Sequence, residues 1–176
     1  MCIRDRNDCD MNTILIRYPE VLLTYAEAKI KAGEIDASVL EAINKVRQRP
    51  SVKMPPITTT DPNELFYAVA RERKYEFSGE GLRLFDIRRW KIAETVMNQP
   101  LLGRMKKSYP DKAPRIDEWG TAFYEGIPIA ESGESADFKM RVVDIRKFDK
   151  NRDYLWPIPY IERQTNPNLT QNPNYE

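Results

Sequence analysis

What most limits the folds open to this chain is the placement of its prolines. Up to residue 99 they are Pro19, Pro50, Pro55, Pro56 and Pro62. Beyond it they recur as Pro100, Pro110, Pro114, Pro128, Pro157, Pro159, Pro167 and Pro173. Proline has no amide hydrogen and clashes with the preceding helical turn. It fits the first turn of a helix and is excluded from helix interiors and central strands. The first hundred residues are therefore free to be helical, and those beyond Pro100 are expected to be mostly irregular.

Apolar spacing fills in the first part. Leu22, Leu23, Ala26 and Ile30 recur at helical intervals after Tyr18-Pro19 and stop at Gly33, which predicts one helix. Val39, Ile43 and Val46 predict a second, from Asp36 to Arg49, capped by Asp36 or Ser38. The link is short enough for an antiparallel pair. After a Pro/Thr-rich connector at 50–60, Asp61, Pro62 and Glu64 form a start signal of N-cap, first-turn proline and capping-box acid. Phe66, Val69, Ala70 and Phe77 mark that helix, with Arg73 on the same line. A fourth helix is expected from Leu82 to about Met97, with Phe85, Ile92 and Val96 on one side. The helix pairs are thus 18–49 and 61–97.

Residues 100–136 interleave proline and glycine with Tyr109, Trp119, Phe123 and Tyr124. An irregular excursion is expected there, with room for a short helix anchored by Trp119 and Phe123. Phe138, Met140 and Val142 alternate, which suggests short strands in 138–148. The proline-rich end, 137–176 with those strands, reads as a wrap without a regular helix. Leu155, Trp156, Ile158, Tyr160 and Leu169 would hold it on the core. Trp90 and Trp156 read as core or seam residues. Residues 1–16, containing Cys2 and Cys9, read as an unstructured leader or an artefactual start. Their cysteine spacing matches neither a redox pair nor a zinc knuckle.

Composition narrows the chemistry. The 176 residues contain no histidine, and Lys plus Arg (28) nearly balance Asp plus Glu (27). Imidazole catalysis and His-based metal sites are excluded, and no general electrostatic argument favours nucleic acid. No cofactor or metal is expected. No run approaches the roughly 18 apolar residues of a spanning helix. Arg73, Glu76, Asp86 and Arg89 lie among apolar positions and are expected to form a structural ion network, since a buried charge needs a partner. Anion binding by Arg88, Arg89 and Lys91 would require an open basic cleft. Exposed aromatics in the excursion suit sugar stacking or a protein interface, so Tyr109, Trp119, Phe123 and Tyr124 are the candidate ligand-binding residues. A carboxylate hydrolase would need two of Glu72, Glu76 and Asp86 facing each other across a cleft.

Four segments, in order, carry a family resemblance: Arg17-Tyr18-Pro19-Glu20-Val21-Leu22-Leu23; Ile43-Asn44-Lys45-Val46-Arg47-Gln48-Arg49; Arg71-Glu72-Arg73-Lys74-Tyr75-Glu76-Phe77 with Gly81-Leu82-Arg83-Leu84-Phe85-Asp86-Ile87-Arg88-Arg89-Trp90; and Tyr154-Leu155-Trp156-Pro157-Ile158-Pro159 with Asn166-Pro167-Asn168-Leu169-Thr170-Gln171-Asn172-Pro173-Asn174-Tyr175. Together they resemble the C-terminal part of SusD/RagB-type outer-membrane nutrient-binding lipoproteins. The resemblance implies a mainly α, tetratricopeptide-like fold with residues 17–176 as its C-terminal portion. It implies a non-enzymatic protein, lipid-anchored at the cell surface through a part absent from this chain. Such a protein captures glycan and delivers it to a SusC-like TonB-dependent transporter. Capture of peptide or another nutrient is the family's alternative. No sugar-binding position is transferred by the resemblance.

Overall fold

The computed structural model describes residues 14–131 and 133–175. The leader's cysteines lie outside them. The chain divides into two compact units, up to Glu76 and from Phe77.

The first unit is three helices: α1 (Tyr18–Ala32), α2 (Ala37–Arg47) and α3 (Pro62–Glu76). Pro19 occupies the first turn of α1. Gly33 ends it in the left-handed region at φ 76°, with its N–H on the Ile30 carbonyl, a conformation that glycine adopts without a Cβ penalty. Asp36 caps α2 by accepting from the Ser38 N–H at 2.9 Å, and its carboxylate also pairs with Lys29 of α1. The Lys29 ammonium, then the Ser38 hydroxyl, pull the Asp36 carboxyl down to about 2. One acid thus closes the turn between two helices. Their apolar stripes meet in one core, where Leu23, Ala26, Val39, Ile43, Leu65 and Val69 are fully shielded from water or nearly so. Such burial is the main stabilising term in a small helical unit.

Asp61 caps α3 through its contacts with the Asn63 and Glu64 amides. The capping box closes indirectly, however. Glu64 takes the Thr59 hydroxyl, and Thr59 in turn accepts from the Asp61 N–H. A hydroxyl both donates and accepts, so Thr59 relays what the acid alone was expected to do. The connector is pinned by Asn44, whose carboxamide bonds the Ile57 N–H at 2.7 Å and carbonyl at 2.9 Å.

The second unit starts with α4 (Leu82–Arg89) and α5 (Ala93–Val96), where the apolar spacing predicts a single helix. Lys91 breaks it at φ 54°, and the Ile92 N–H folds back onto the Ile87 carbonyl. The break reorients the chain: Ile92 and Val96 are buried while Phe85 is 64% exposed. Ile87, Ile92, Ala93 and Val96 form this unit's apolar cluster, with Trp90, Trp119, Phe148 and Tyr154 packed on it.

Among its described residues the excursion contains no helix. It holds β1 (Pro100–Gly103), β2 (Arg115–Ile116), β3 (Ala122–Phe123) and β4 (Ile129–Ala130), followed by β5 (Met140–Ile145). β5 is the centre of a three-stranded sheet, antiparallel to β1 and parallel to β4. A Cβ on Gly103 would lie 2.9 Å from a Val143 methyl, so a larger residue there would have to push the exposed Val143 side chain aside. The expected alternation also fails, since Met140 is buried but Phe138 and Val142 are exposed.

The end of the chain contains a helix after all, α6 (Tyr160–Thr165). Pro159 is its N-cap residue and Pro167 lies beyond its end, so no proline falls in its interior. Leu155, Trp156 and Tyr160 are exposed rather than packed inward. The wrap is held by polar side chains. Gln171 bonds both the N–H and the carbonyl of Ile158, Asn172 donates to the Trp156 carbonyl, and the Tyr175 hydroxyl donates to that of Leu155.

Candidate functional site

The structure separates the four aromatic candidates. Trp119 stacks on Trp90 with ring centroids 6.3 Å apart and belongs to the apolar cluster. Its position comes from a tight loop rather than a helix. Asp117 accepts from the Trp119 and Thr121 amides at 3.0 and 2.6 Å, and Gly120 turns at φ 75°. This loop joins β2 to β3 as a hairpin, in which Arg115 faces Phe123. The Arg115 guanidinium covers the Phe123 ring at 4.3 Å and also pairs with Glu125. Tyr124 is half-buried at the turn that follows.

Of the four, Tyr109 lines a concavity. A cleft of about 260 Å³ is bounded by Tyr109 and Phe138, with Met105 buried and Ser108, Asp111 and Lys112 supplying polar groups. The two rings are 72% and 66% exposed and stand on the same concavity. Backbone bonds fix the cleft's frame. Lys106 and Lys107 donate to the Ala136 and Asp137 carbonyls at 2.9 Å each, and the Met140 N–H reaches the Pro128 carbonyl at 2.8 Å. The Lys107–Asp137 ion pair at 2.7 Å joins the same two segments. Phe138 escaped the sequence reading because alternation with Met140 placed it in a strand. Its position just before β5 leaves it outside the ladder.

The charged candidates have partners. Glu76 binds Arg17 at 2.8 Å and also pairs with Arg49, while its side chain is only 6% exposed. Burial works to raise its pKa, but the two guanidiniums outweigh that and hold the carboxyl below its ordinary value. Glu72 binds Arg47 at 2.6 Å. Arg73 is buried and donates to the Thr24 hydroxyl. In the second unit Asp86, nearly inaccessible, accepts from Arg89 one turn along α4 at 2.8 Å. The carboxylates considered for hydrolysis thus sit in ion pairs. The aromatic cleft contains one acid, Asp111. Among the described residues no cluster of metal-ligating side chains occurs, and no helix is long and apolar enough to cross a membrane.

Paired helices followed by a strand-and-wrap segment, with aromatics around a shallow cleft, define a mainly helical scaffold. The SusD family model matches residues 4–175, and the chain belongs to that family. It is 31% identical over 173 residues to SusD-like protein P2 of Formosa agariphila, covering 93% of this chain and 26% of that protein. Two solved structures from Bacteroides fragilis superpose with TM-scores of 0.68. One is a SusD-like carbohydrate-binding protein, 38% identical, covering 90% of this chain and 28% of that one. The other is a SusD-like protein, 31% identical, covering 92% and 26%. The chain thus spans about a quarter of the length of these relatives. Its architecture is the mainly α, tetratricopeptide-like SusD fold.

Proposed function

We propose that this chain contributes to a non-enzymatic protein that captures oligosaccharide at the cell surface, with the Tyr109–Phe138 cleft as a sugar-contacting surface. The observation that carries this reading is the pair of exposed rings beside Ser108, Asp111 and Lys112. Aromatic faces pack on the C–H faces of sugar rings, and short polar side chains bond the hydroxyls. Likeness to a SusD-like carbohydrate-binding protein supports the same ligand class. Family membership supports lipid anchoring at the outer membrane and handover to a SusC-like TonB-dependent transporter.

Calorimetric titration of the 176-residue chain with a panel of neutral oligosaccharides tests the cleft. A ligand from the panel should bind, and Tyr109→Ala should weaken it about tenfold, the loss expected for one stacking contact. Trp119→Phe should leave its affinity unchanged, because that ring packs inside. Unaltered binding in Tyr109→Ala would remove the cleft from the reading. Release of shortened sugars by the pure protein would overturn the non-enzymatic assignment.

A further inference from the structure

The second unit has another concavity, of about 520 Å³, lined by Arg88, Lys91, Lys150 and Arg152 together with Glu94 and Tyr154. Its charges do not cancel. Arg152 is taken up by Asp153 at 2.6 Å. Glu94, which accepts the Tyr154 hydroxyl, keeps its charge and faces Lys150, so one acid stands against Arg88, Lys91 and Lys150. Lys91 and Lys150 make no ion pair among the described residues. On a chain with a net charge of only +1, this is a pronounced local excess of positive charge, and a concave wall concentrates its field.

Arg88 supplies the second observation. Its Nη2 is buried and has no hydrogen-bond partner, although its guanidinium is braced against the Trp156 ring at 4.5 Å. A buried N–H without an acceptor is costly, and native structures seldom leave one so. The Arg88 side chain lines the cleft, and an oxyanion drawn in there would offer its guanidinium the acceptor that it lacks. The lysines stand on constrained backbone. Lys91 is held at φ 54° with its N–H on the Arg88 carbonyl. Lys150 lies in a turn closed by Asp153 N–H to the Asp149 carbonyl at 2.7 Å and Asn151 N–H to the Asp149 carboxylate at 2.9 Å.

We propose that this cleft is a subsite for the carboxylate or sulfate of an acidic saccharide. Arg88 donates to the oxyanion, and Lys91 and Lys150 neutralise it as point charges. The proposal narrows the ligand class of the proposed function and rests on that reading. Both the neutral aromatic cleft and this one lie in the second unit, but their contributions separate by experiment.

The test is calorimetric titration with four probes: a galacturonate oligomer, a sulfated galactan oligomer, a neutral oligomer of equal length, and inorganic sulfate. At least one acidic oligomer should bind about tenfold more tightly than the neutral one. The double variant Lys91→Gln/Lys150→Gln should abolish that preference, and salt at about 0.5 M should do the same. Neutral binding should survive both treatments. Arg88→Gln should act like the double variant if its thermal unfolding is unchanged. The double variant carries the test if Arg88→Gln misfolds. Equal affinity for neutral and acidic oligomers, or a preference that survives loss of both lysines, would overturn the proposal while leaving glycan binding intact. Binding of inorganic sulfate without any preference among saccharides would show an ion site only and overturn it too. Failure of every saccharide to bind would overturn the proposed function itself.

Discussion

Glu76 shows how much one residue can organise when its partners come from distant parts of the chain. Its carboxylate accepts from Arg17, ahead of α1, and from Arg49, just after α2, and Arg17 also bonds the Glu76 carbonyl. Because its folded pKa lies below the ordinary glutamate value, its contribution is fully present above the unfolded pKa. It is lost as pH falls through the folded value. Glu76→Gln should therefore cost about 2 kcal/mol near neutral pH, less than a fully buried pair because both arginines are partly exposed. The deficit, read from urea midpoints, should shrink once acid protonates the wild-type carboxyl. A deficit equal at neutral and acidic pH would mean that the pairing contributes nothing. Gly103 is a steric counterpart. Gly103→Ala pushes a methyl against the exposed Val143 side chain, which can turn away, and should cost less than about 1 kcal/mol, measured by denaturant unfolding.

Among the elements, extended segments are fastened by carboxamides that imitate a strand neighbour. Asn44 bonds both backbone groups of Ile57, Asn98 those of Phe148, and Gln171 those of Ile158. One amide side chain offers an N–H and a C=O side by side, the complement of a peptide group. It can thus satisfy backbone that lacks a ladder. Asn44→Ala should destabilise the first unit by about 1–2 kcal/mol by stripping two partners from half-buried Ile57. Asn44→Asp, which keeps the acceptor but sets a carboxylate oxygen against the Ile57 carbonyl, should cost at least as much as Asn44→Ala. Thermal unfolding of the three proteins checks the order. These amides also explain why the wrap is ordered with its large apolar side chains outside. Helix extents were more legible than these fastenings. The caps at Asp36 and Asp61 and the stop at Gly33 are local signals, whereas an amide partner 13 or 50 residues away leaves no local trace. The break at Lys91 was hidden for a related reason. Lysine in the left-handed region carries no compositional mark, unlike glycine.

For the molecule as a whole, near-zero net charge gives a simple expectation. Binding of a neutral oligosaccharide should be almost insensitive to ionic strength between about 0.05 and 0.5 M, because no long-range attraction exists to be screened. A steep salt dependence for a neutral ligand would contradict this.

Read alone, the sequence determined the three helices of the first unit, their caps, the absence of imidazole chemistry and the order of family segments. All of these depend on residue spacing within a few turns or on residues simply being present. Tertiary structure decided the rest. It split the fourth helix, made the excursion a set of short strands and placed a helix between the prolines of the wrap. It sent Trp119 into a core, left Tyr109 and Phe138 facing solvent around one cleft, and gathered lysines 59 positions apart in sequence around another. Whether an aromatic ring packs or binds, and whether a charge is paired or available, depends on which distant segment covers it. That is a property of the fold and not of local spacing.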